Sequence, residues 1–256
     1  MCSNKKTPYV EIHTFASINM QKYKKFSYFC KKLKLLMNNF LKDKRFLYIA
    51  IFIAVIVIDQ VSKIWVKTNM SLGSSIWITD WFQINFQENN GMAFSIEMGN
   101  KIFLTLFRII AVGGLLYIIN KLIKEGYKTG FIVCMVLITA GALGNIIDCV
   151  FYGVLFSDSH HQVAEFLPAS GGYSTWLYGK VVDMLYFPLF RLPEWIPFFG
   201  GEIFFRPVFN IADSAVCTGV FCVLVFEHKE LSRFMGEDDK KAKDKSSNNP
   251  VETESK

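Results

Sequence analysis

Four stretches of the chain are apolar for about the length a bilayer demands: Phe46–Trp65, Ile102–Asn120, Phe131–Tyr152 and Val208–Glu227. A hydrocarbon core of about 30 Å needs roughly 20 such residues of helix, so each stretch predicts a membrane-spanning helix. Three of them carry acids or amides toward one end: Asp59 in the first, Asn145 and Asp148 in the third, Asn210 and Asp213 in the fourth. The second is broken by Arg108. An ionised side chain in hydrocarbon costs on the order of 3 kcal/mol or more, which marks these positions as candidates for a site. Between the first two stretches the period changes. Phe82, Ile84 and Phe86 alternate with Gln83, Asn85 and Gln87, as in a half-buried strand. The strand runs into Asn89-Asn90-Gly91-Met92-Ala93-Phe94-Ser95, where Asn-Gly marks a turn. A small sheet resting on the bilayer and an ordinary hairpin both fit.

Composition agrees with a membrane protein: 52% of the 256 residues are apolar and 25 are Phe. Charge then orients the spans, because cytoplasmic flanks collect Lys and Arg. Basic residues crowd the segment from Lys22 to Arg45, and Lys121, Lys124 and Lys128 lie between the second and third stretches. Both termini are therefore expected in the cytoplasm, with the long connections after the first and third spans facing outward. On that topology Asp59, Asn145 and Asp148 lie near outer helix ends. Asn210 and Asp213 fall within about 8 Å of the outer start of the fourth span. The polar groups of separate helices share one leaflet.

Residues 1–45 form a basic cytoplasmic arm. Its Tyr23–Leu41 stretch fits either an amphipathic helix on an anionic leaflet or a plain topology signal. Residues 228–256 read as a charged tail, without structure from Glu237 onward. Cys134, Cys149, Cys217 and Cys222 fall within spans, where a thiol behaves as a small apolar group. Cys2 and Cys30 lack metal-ligand spacing, and His160 and His161 are adjacent with no third ligand nearby. No metal and no cofactor are predicted.

Asn145 precedes Asp148 by three residues, and Asn210 precedes Asp213 by three, which predicts an amide and an acid on one helical face in each case. They serve either a shared pocket or polar adhesion between packed helices. Asp59 and Lys63 stand at i,i+4 in the favourable acid-first order, read as a structural ion pair. Asp183, in Lys180-Val181-Val182-Asp183-Met184, precedes the aromatic stretch Tyr186–Phe205, suited to the headgroup layer. It is expected at the membrane lip, at the depth of Asp213. Two carboxylates held close cannot both ionise easily, so such a pair shares a proton near neutral pH. One then accepts a proton from water while the other donates to a carbonyl. Asp213, at the positive end of its helix, suits the base, and Asp183 the acid.

The ordered set Asp59-Gln60-x-x-Lys63, Asn89-x-Gly91-x-Ala93-Phe94-Ser95, Gly141-Ala142-x-Gly144-Asn145-x-x-Asp148, Val181-Val182-Asp183 and Phe209-Asn210-x-Ala212-Asp213-Ser214 resembles bacterial lipoprotein signal peptidase, also called signal peptidase II. The resemblance implies an all-α membrane core of four transmembrane helices with a small extracytoplasmic β-sheet cradling the substrate and an interfacial segment. It implies an inner-membrane aspartyl endopeptidase that removes the signal peptide from prolipoproteins before the diacylglyceryl-cysteine, with membrane lipids around it, no nucleic-acid partner, and inhibition by globomycin. Asp183 and Asp213 match the catalytic pair. Asp59, Lys63, Asn89, Gly91, Asn145, Asp148 and Asn210 match positions that line or support the site.

Two features depart from that pattern. Cys149 stands where the family usually has Arg after the third-span acid, leaving Lys180, Arg191 and Arg206 as candidate substitutes for a cation that pairs with Asp148 or holds substrate. Residues 157–178 form an insertion, read as a lid over the lipid or as surface elaboration. A small transporter also uses intramembrane Asp and Asn, with Arg108 as a relay, but the acids gather at one face and no inverted repeat of spans is visible.

Overall fold

The computed structural model describes residue 31 and residues 43–89, 101–197 and 200–236. Two units divide the chain, Met1–Leu47 and Tyr48–Lys256. In the first, Asp43 starts a helix by accepting from the Arg45 backbone N–H at 3.0 Å, so an orphan donor of the first turn is satisfied. That helix, α1, spans Lys44–Asn69. The second unit holds everything that follows.

Helix α2 covers Lys101–Lys124 and ends on Lys121 and Lys124, cations placed where the helix dipole is negative. Helix α3, Thr129–Ile147, runs on through a π-helical turn at Asp148–Tyr152 and a last helical turn at Gly153–Leu155. The first three spans are each long and apolar enough to cross a membrane. The fourth is shorter than its apolar run predicts. Helix α4 occupies only Ile211–Val225, and it crosses a bilayer only if counted with α5, His228–Phe234, which bends from it by 86°. Its start slips from Val208 to Ile211 because Phe209 is extended and paired with Leu185. The first part of the charged tail after Glu227 is helical through Phe234 and anchored by Glu230, 3.4 Å from Lys128. Residues 237–256 and most of the basic arm lie outside the described residues.

Strands β1 (Ser75–Thr79), β2 (Phe82–Asn89) and β3 (Val181–Tyr186) form one antiparallel sheet in the order β1-β2-β3. The alternation in β2 holds at Phe86, which is fully buried, but Gln83 is buried too, so the polar face is partly covered. One apolar cluster joins Tyr48, Ile119, Leu122, Phe131, Ile132 and Val223 among the helices. A second joins Val66 of α1 and Met70, just past its end, to Phe86, Tyr152, Phe156, Ala164, Val182 and Met184. On α2, Phe103, Phe107, Ile110 and Tyr117 are exposed, the surface a helix turns toward lipid.

The 157–178 segment is built into this second cluster. Ala164 is buried in it, and the segment after it closes the π turn: Gly179 donates to the Cys149 carbonyl at 2.8 Å, Leu177 to Val150 at 3.2 Å and Ser174 to Gly153 at 2.8 Å. A π turn misaligns the helical ladder and frees carbonyls; here the returning chain takes them. Only glycine permits that approach, since a Cβ at position 179 would lie 2.0 Å from the Asp148 carbonyl oxygen. Gly179→Ala is expected to lower the midpoint of thermal unfolding in detergent by about 5 °C or more, corresponding to a loss of about 2 kcal/mol. Gly113→Ala, which meets nothing within 4 Å, is expected to leave that midpoint unchanged in the same fluorescence melt.

Candidate active site

Asn210 does not sit on a helical face with Asp213. It is the N-cap of α4, in extended conformation, and the two form a capping box. The Asn210 Oδ1 accepts from the Asp213 N–H at 2.9 Å, while Asp213 Oδ2 accepts from the Asn210 N–H at 3.4 Å. Asn-x-x-Asp before an apolar run is a capping signature as much as a face, and here the cap decides. With its oxygen committed, Asn210 has only Nδ2 left to offer. That group donates to Asp183 Oδ1 at 2.7 Å and to Asn145 Oδ1 at 3.1 Å. Asn145, on α3, in turn donates from Nδ2 to Asp213 Oδ1 at 2.8 Å. The two candidate catalytic carboxylates are thus joined through two amides.

Asp183 reaches this point from β3. Its partner across β2 is Gln87, which puts Asn89, two residues on, diagonal to it on the same face. Asn89 Nδ2 donates to Asp183 Oδ2. Asp183 is only 4% exposed. Burial, and next the neighbouring Asp213 carboxylate, push its carboxyl up to about 7, against the opposing hydrogen bonds from Asn210 and Asn89.

Below this pair lies a buried ion cluster. Lys63 Nζ is 2.9 Å from Asp59 Oδ2, 2.8 Å from Asp148 Oδ2 and 2.9 Å from Asn145 Oδ1, and all three charged side chains have no exposed surface. The expected Asp59–Lys63 pair is therefore half of a triad. Asp59 Oδ1 accepts from the Ala212 N–H at 2.8 Å, a first-turn donor of α4. Asp148 Oδ1 accepts from Gln60 Nε2 at 2.9 Å, and Gln60 Oε1 accepts from the Tyr152 hydroxyl at 3.1 Å. Every buried charge here has a counter-charge or a donor, which is what burial requires.

The cation beside Asp148 is thus Lys63, and none of the three substitutes expected from the sequence. Lys180 pairs with Glu88 at 3.3 Å, Arg191 donates to the Gly201 carbonyl and Arg206 pairs with Glu202. Glu88 belongs to a second buried cluster with Lys67 and Ser159, under the rings of Phe156 and Tyr173, and the partly exposed Lys180 borders it. Nothing in the sequence periodicity signalled it, because Ser159 sits in the insertion. His160 pairs with Asp158 at 3.8 Å, and among the described residues no three His, Cys, Asp or Glu side chains converge. Gly91 lies outside the described residues. The site also opens on an apolar cavity of about 350 Å³ whose lining includes Arg108, Ala142, Asn145 and Asp213.

Comparison with known proteins points the same way. The family described as signal peptidase (SPase) II matches residues 51–228. The lipoprotein signal peptidase of Porphyromonas gingivalis is 54% identical over 181 residues, 69% of this chain and 80% of that protein. That of Amoebophilus asiaticus is 37% identical over 188 residues, 70% of this chain and 76% of that protein. A solved bacterial membrane enzyme, 29% identical, covers 73% of this chain and 90% of its own with a TM-score of 0.50.

Lys63→Met leaves two carboxylates buried with no cation. It is expected to destabilise the fold by about 3–5 kcal/mol, seen as a large drop in the yield of monodisperse protein in detergent, whereas exposed Lys121→Met is expected to change yield little.

Proposed function

The chain belongs to the signal peptidase II family, aspartic peptidases of lipoprotein maturation, and we propose that it removes the signal peptide from prolipoproteins by cutting before the diacylglyceryl-cysteine, with Asp183 and Asp213 as its catalytic pair. What carries the assignment is the amide-linked arrangement of the two carboxylates, with Asp183 held near 7. At neutral pH such a pair keeps one proton. Asp213 takes a proton from water as the oxygen bonds to the scissile carbonyl carbon, and Asp183 gives its proton to the carbonyl oxygen. The diol then collapses: Asp213 passes its proton to the leaving nitrogen, the diol hydroxyl returns one to Asp183, and the C–N bond breaks. Proton inventory is restored without a cofactor.

Asp59, Lys63, Asn145, Asp148 and Asn210 support the pair, and Asn89 fixes the Asp183 rotamer. The protein lies in the cytoplasmic membrane of a bacterium as a multi-pass enzyme with both termini in the cytoplasm and the site at the outer leaflet; Lys121, Lys124 and Lys128 on one connection support that orientation. Residues 46–227 form the peptidase domain, 1–45 a cytoplasmic arm and 228–256 a cytoplasmic tail. The family relationship also supports inhibition by globomycin and contact with membrane lipid around the substrate.

With a diacylated prolipoprotein in detergent, Asp183→Asn and Asp213→Asn are each expected to lose at least about 100-fold in rate, and wild-type turnover by either variant would sink the dyad. The pH dependence has a definite sign. Because the Asp183 carboxyl titrates at about 7 instead of in the ordinary carboxylate range, the acid is lost as pH rises through 7, so kcat/KM falls on the alkaline side. The same shift destabilises the wild-type fold as pH rises from about 4 through 7. Asp183→Asn removes that burden, and its melting midpoint is expected to equal or exceed wild type at pH 8 while activity is lost.

A further inference from the structure

The buried cluster around Glu88 takes no part in the proton transfers. Lys67, in the last turn of α1, and Ser159 have no exposed surface, and the Glu88 side chain is 2% exposed. Lys67 Nζ pairs with Glu88 Oε1, which also accepts from the Ser159 hydroxyl at 3.0 Å, while Nζ of Lys180, the residue before β3, lies 3.3 Å from Oε2. One carboxylate therefore joins α1, the 157–178 segment and the start of β3. Two further charges act on the cluster at longer range, Lys101 of α2 and Asp158. A buried ion cluster is weak evidence for stability, since apolar packing of the same volume often does as well. What it supplies is position.

Position is what β2 needs at this end. Its register with β3 shifts between Ile84 and Gln87, so the upstream ladder does not fix the residues that follow. Asn89, which donates to Asp183 Oδ2, is the last residue of the strand. A slip of one residue would turn its amide to the other face of the sheet. Glu88 pairs with Val182, and its side chain points to the face opposite Asn89. With its two oxygens held by cations from α1 and from the start of β3, any slide along β3 would break both ion pairs.

We propose that Glu88 is a positioning residue, whose ion cluster with Lys67, Ser159 and Lys180 locks the end of β2 so that Asn89 stays on the Asp183 carboxyl. The proposal rests on the reading of Asp183 as the acid of the reaction, and it gives the 157–178 segment a share in the chemistry without contact with substrate. The consequence has a sign. Burial and the Asp213 carboxylate of α4 push Asp183 up to about 7, while the Asn210 and Asn89 amides and Lys63 of α1 oppose that rise. A loosened Asn89 therefore moves its titration higher.

The pH profile of kcat/KM with a diacylated prolipoprotein in detergent tests this, since its alkaline limb reports the acid of the free enzyme. Glu88→Gln keeps the shape and removes the charge; Ser159→Ala removes one hydroxyl. Each is expected to move the limb up by about half a pH unit, with KM within about threefold of wild type. Asn89→Ala is expected to move it at least as far. Adding Glu88→Gln or Ser159→Ala to Asn89→Ala is expected to bring no further shift, because the effect runs through that amide. The position of the limb does not depend on how much of the enzyme is folded, so a lower yield leaves the reading intact. A limb that stays in place or moves to lower pH in either single variant overturns the proposal, and so does a shift that adds in full to that of Asn89→Ala. Wild type failing to cut the substrate, or Asp183→Asn cutting at the wild-type rate, would instead overturn the functional reading.

Discussion

Lys63 has no exposed surface, and the atoms that hold it come from widely separated parts of the chain: Asp59 on its own helix, Asp148 and Asn145 on α3. The acids then reach further, Asp59 to the Ala212 N–H at the start of α4 and Asp148 to the Val182 N–H of β3 at 3.3 Å. In lipid the hydrophobic effect does not choose which helix faces which, because hydrocarbon solvates apolar side chains as well as a neighbouring helix does. A buried triad chooses strongly, since any slip in rotation or height leaves a charge uncompensated. Packing agrees with it. Gly144 lies so close to Asp59 that a Cβ there would stand 2.7 Å from Oδ2.

From the triad the site is assembled by two asparagines, and their chemistry explains why asparagine is used. An amide donates from one end and accepts at the other while carrying no charge. Asn145 accepts from Lys63 and donates to Asp213; Asn210 accepts from the Asp213 backbone and donates to Asp183 and Asn145. A lysine in either place would neutralise a carboxylate, and an aspartate would add a third carboxylate. The amides transmit the position of the fixed ions to both carboxylates without adding a charge of their own.

The spans, the β2 strand and nearly every polar group of the site were legible in the sequence, because length, period 2 and ionisable residues in apolar runs are strong local signals. What was not legible depended on tertiary pairing. The Asn210 spacing fits a helix face and a cap equally well, and only the Phe209–Leu185 backbone bridge, which holds the preceding residues extended, selects the cap. The same bridge shortened α4. Lys63 satisfies both Asp59 and Asp148 although only one of them is its i,i+4 neighbour, so the cation sought among Lys180, Arg191 and Arg206 was already present. The 157–178 segment carries no periodic pattern; its place in the core follows from carbonyls freed by a π turn, which no propensity announces.

The pairing of Phe209 with β3 also accounts for how a strand and a helix hold two carboxylates in reach of each other. Met184 and Leu185 both donate to the Phe209 carbonyl, at 3.1 and 2.7 Å, and Phe209 donates back to Leu185 at 3.1 Å. Asp183 is therefore two residues from Leu185 on one side of the bridge, and Asn210 one residue from Phe209 on the other. With so few rotatable bonds between the bridge and each functional group, their separation is set by backbone hydrogen bonds whose length is fixed to a few tenths of an ångström. Asp213 follows because the capping box ties it to Asn210 in the first turn of the helix. The separation of the two carboxylates is thus set first within Asp183 to Asp213, and the ion triad adds to it by holding Asn145 of α3 against Asp213 and Asn210.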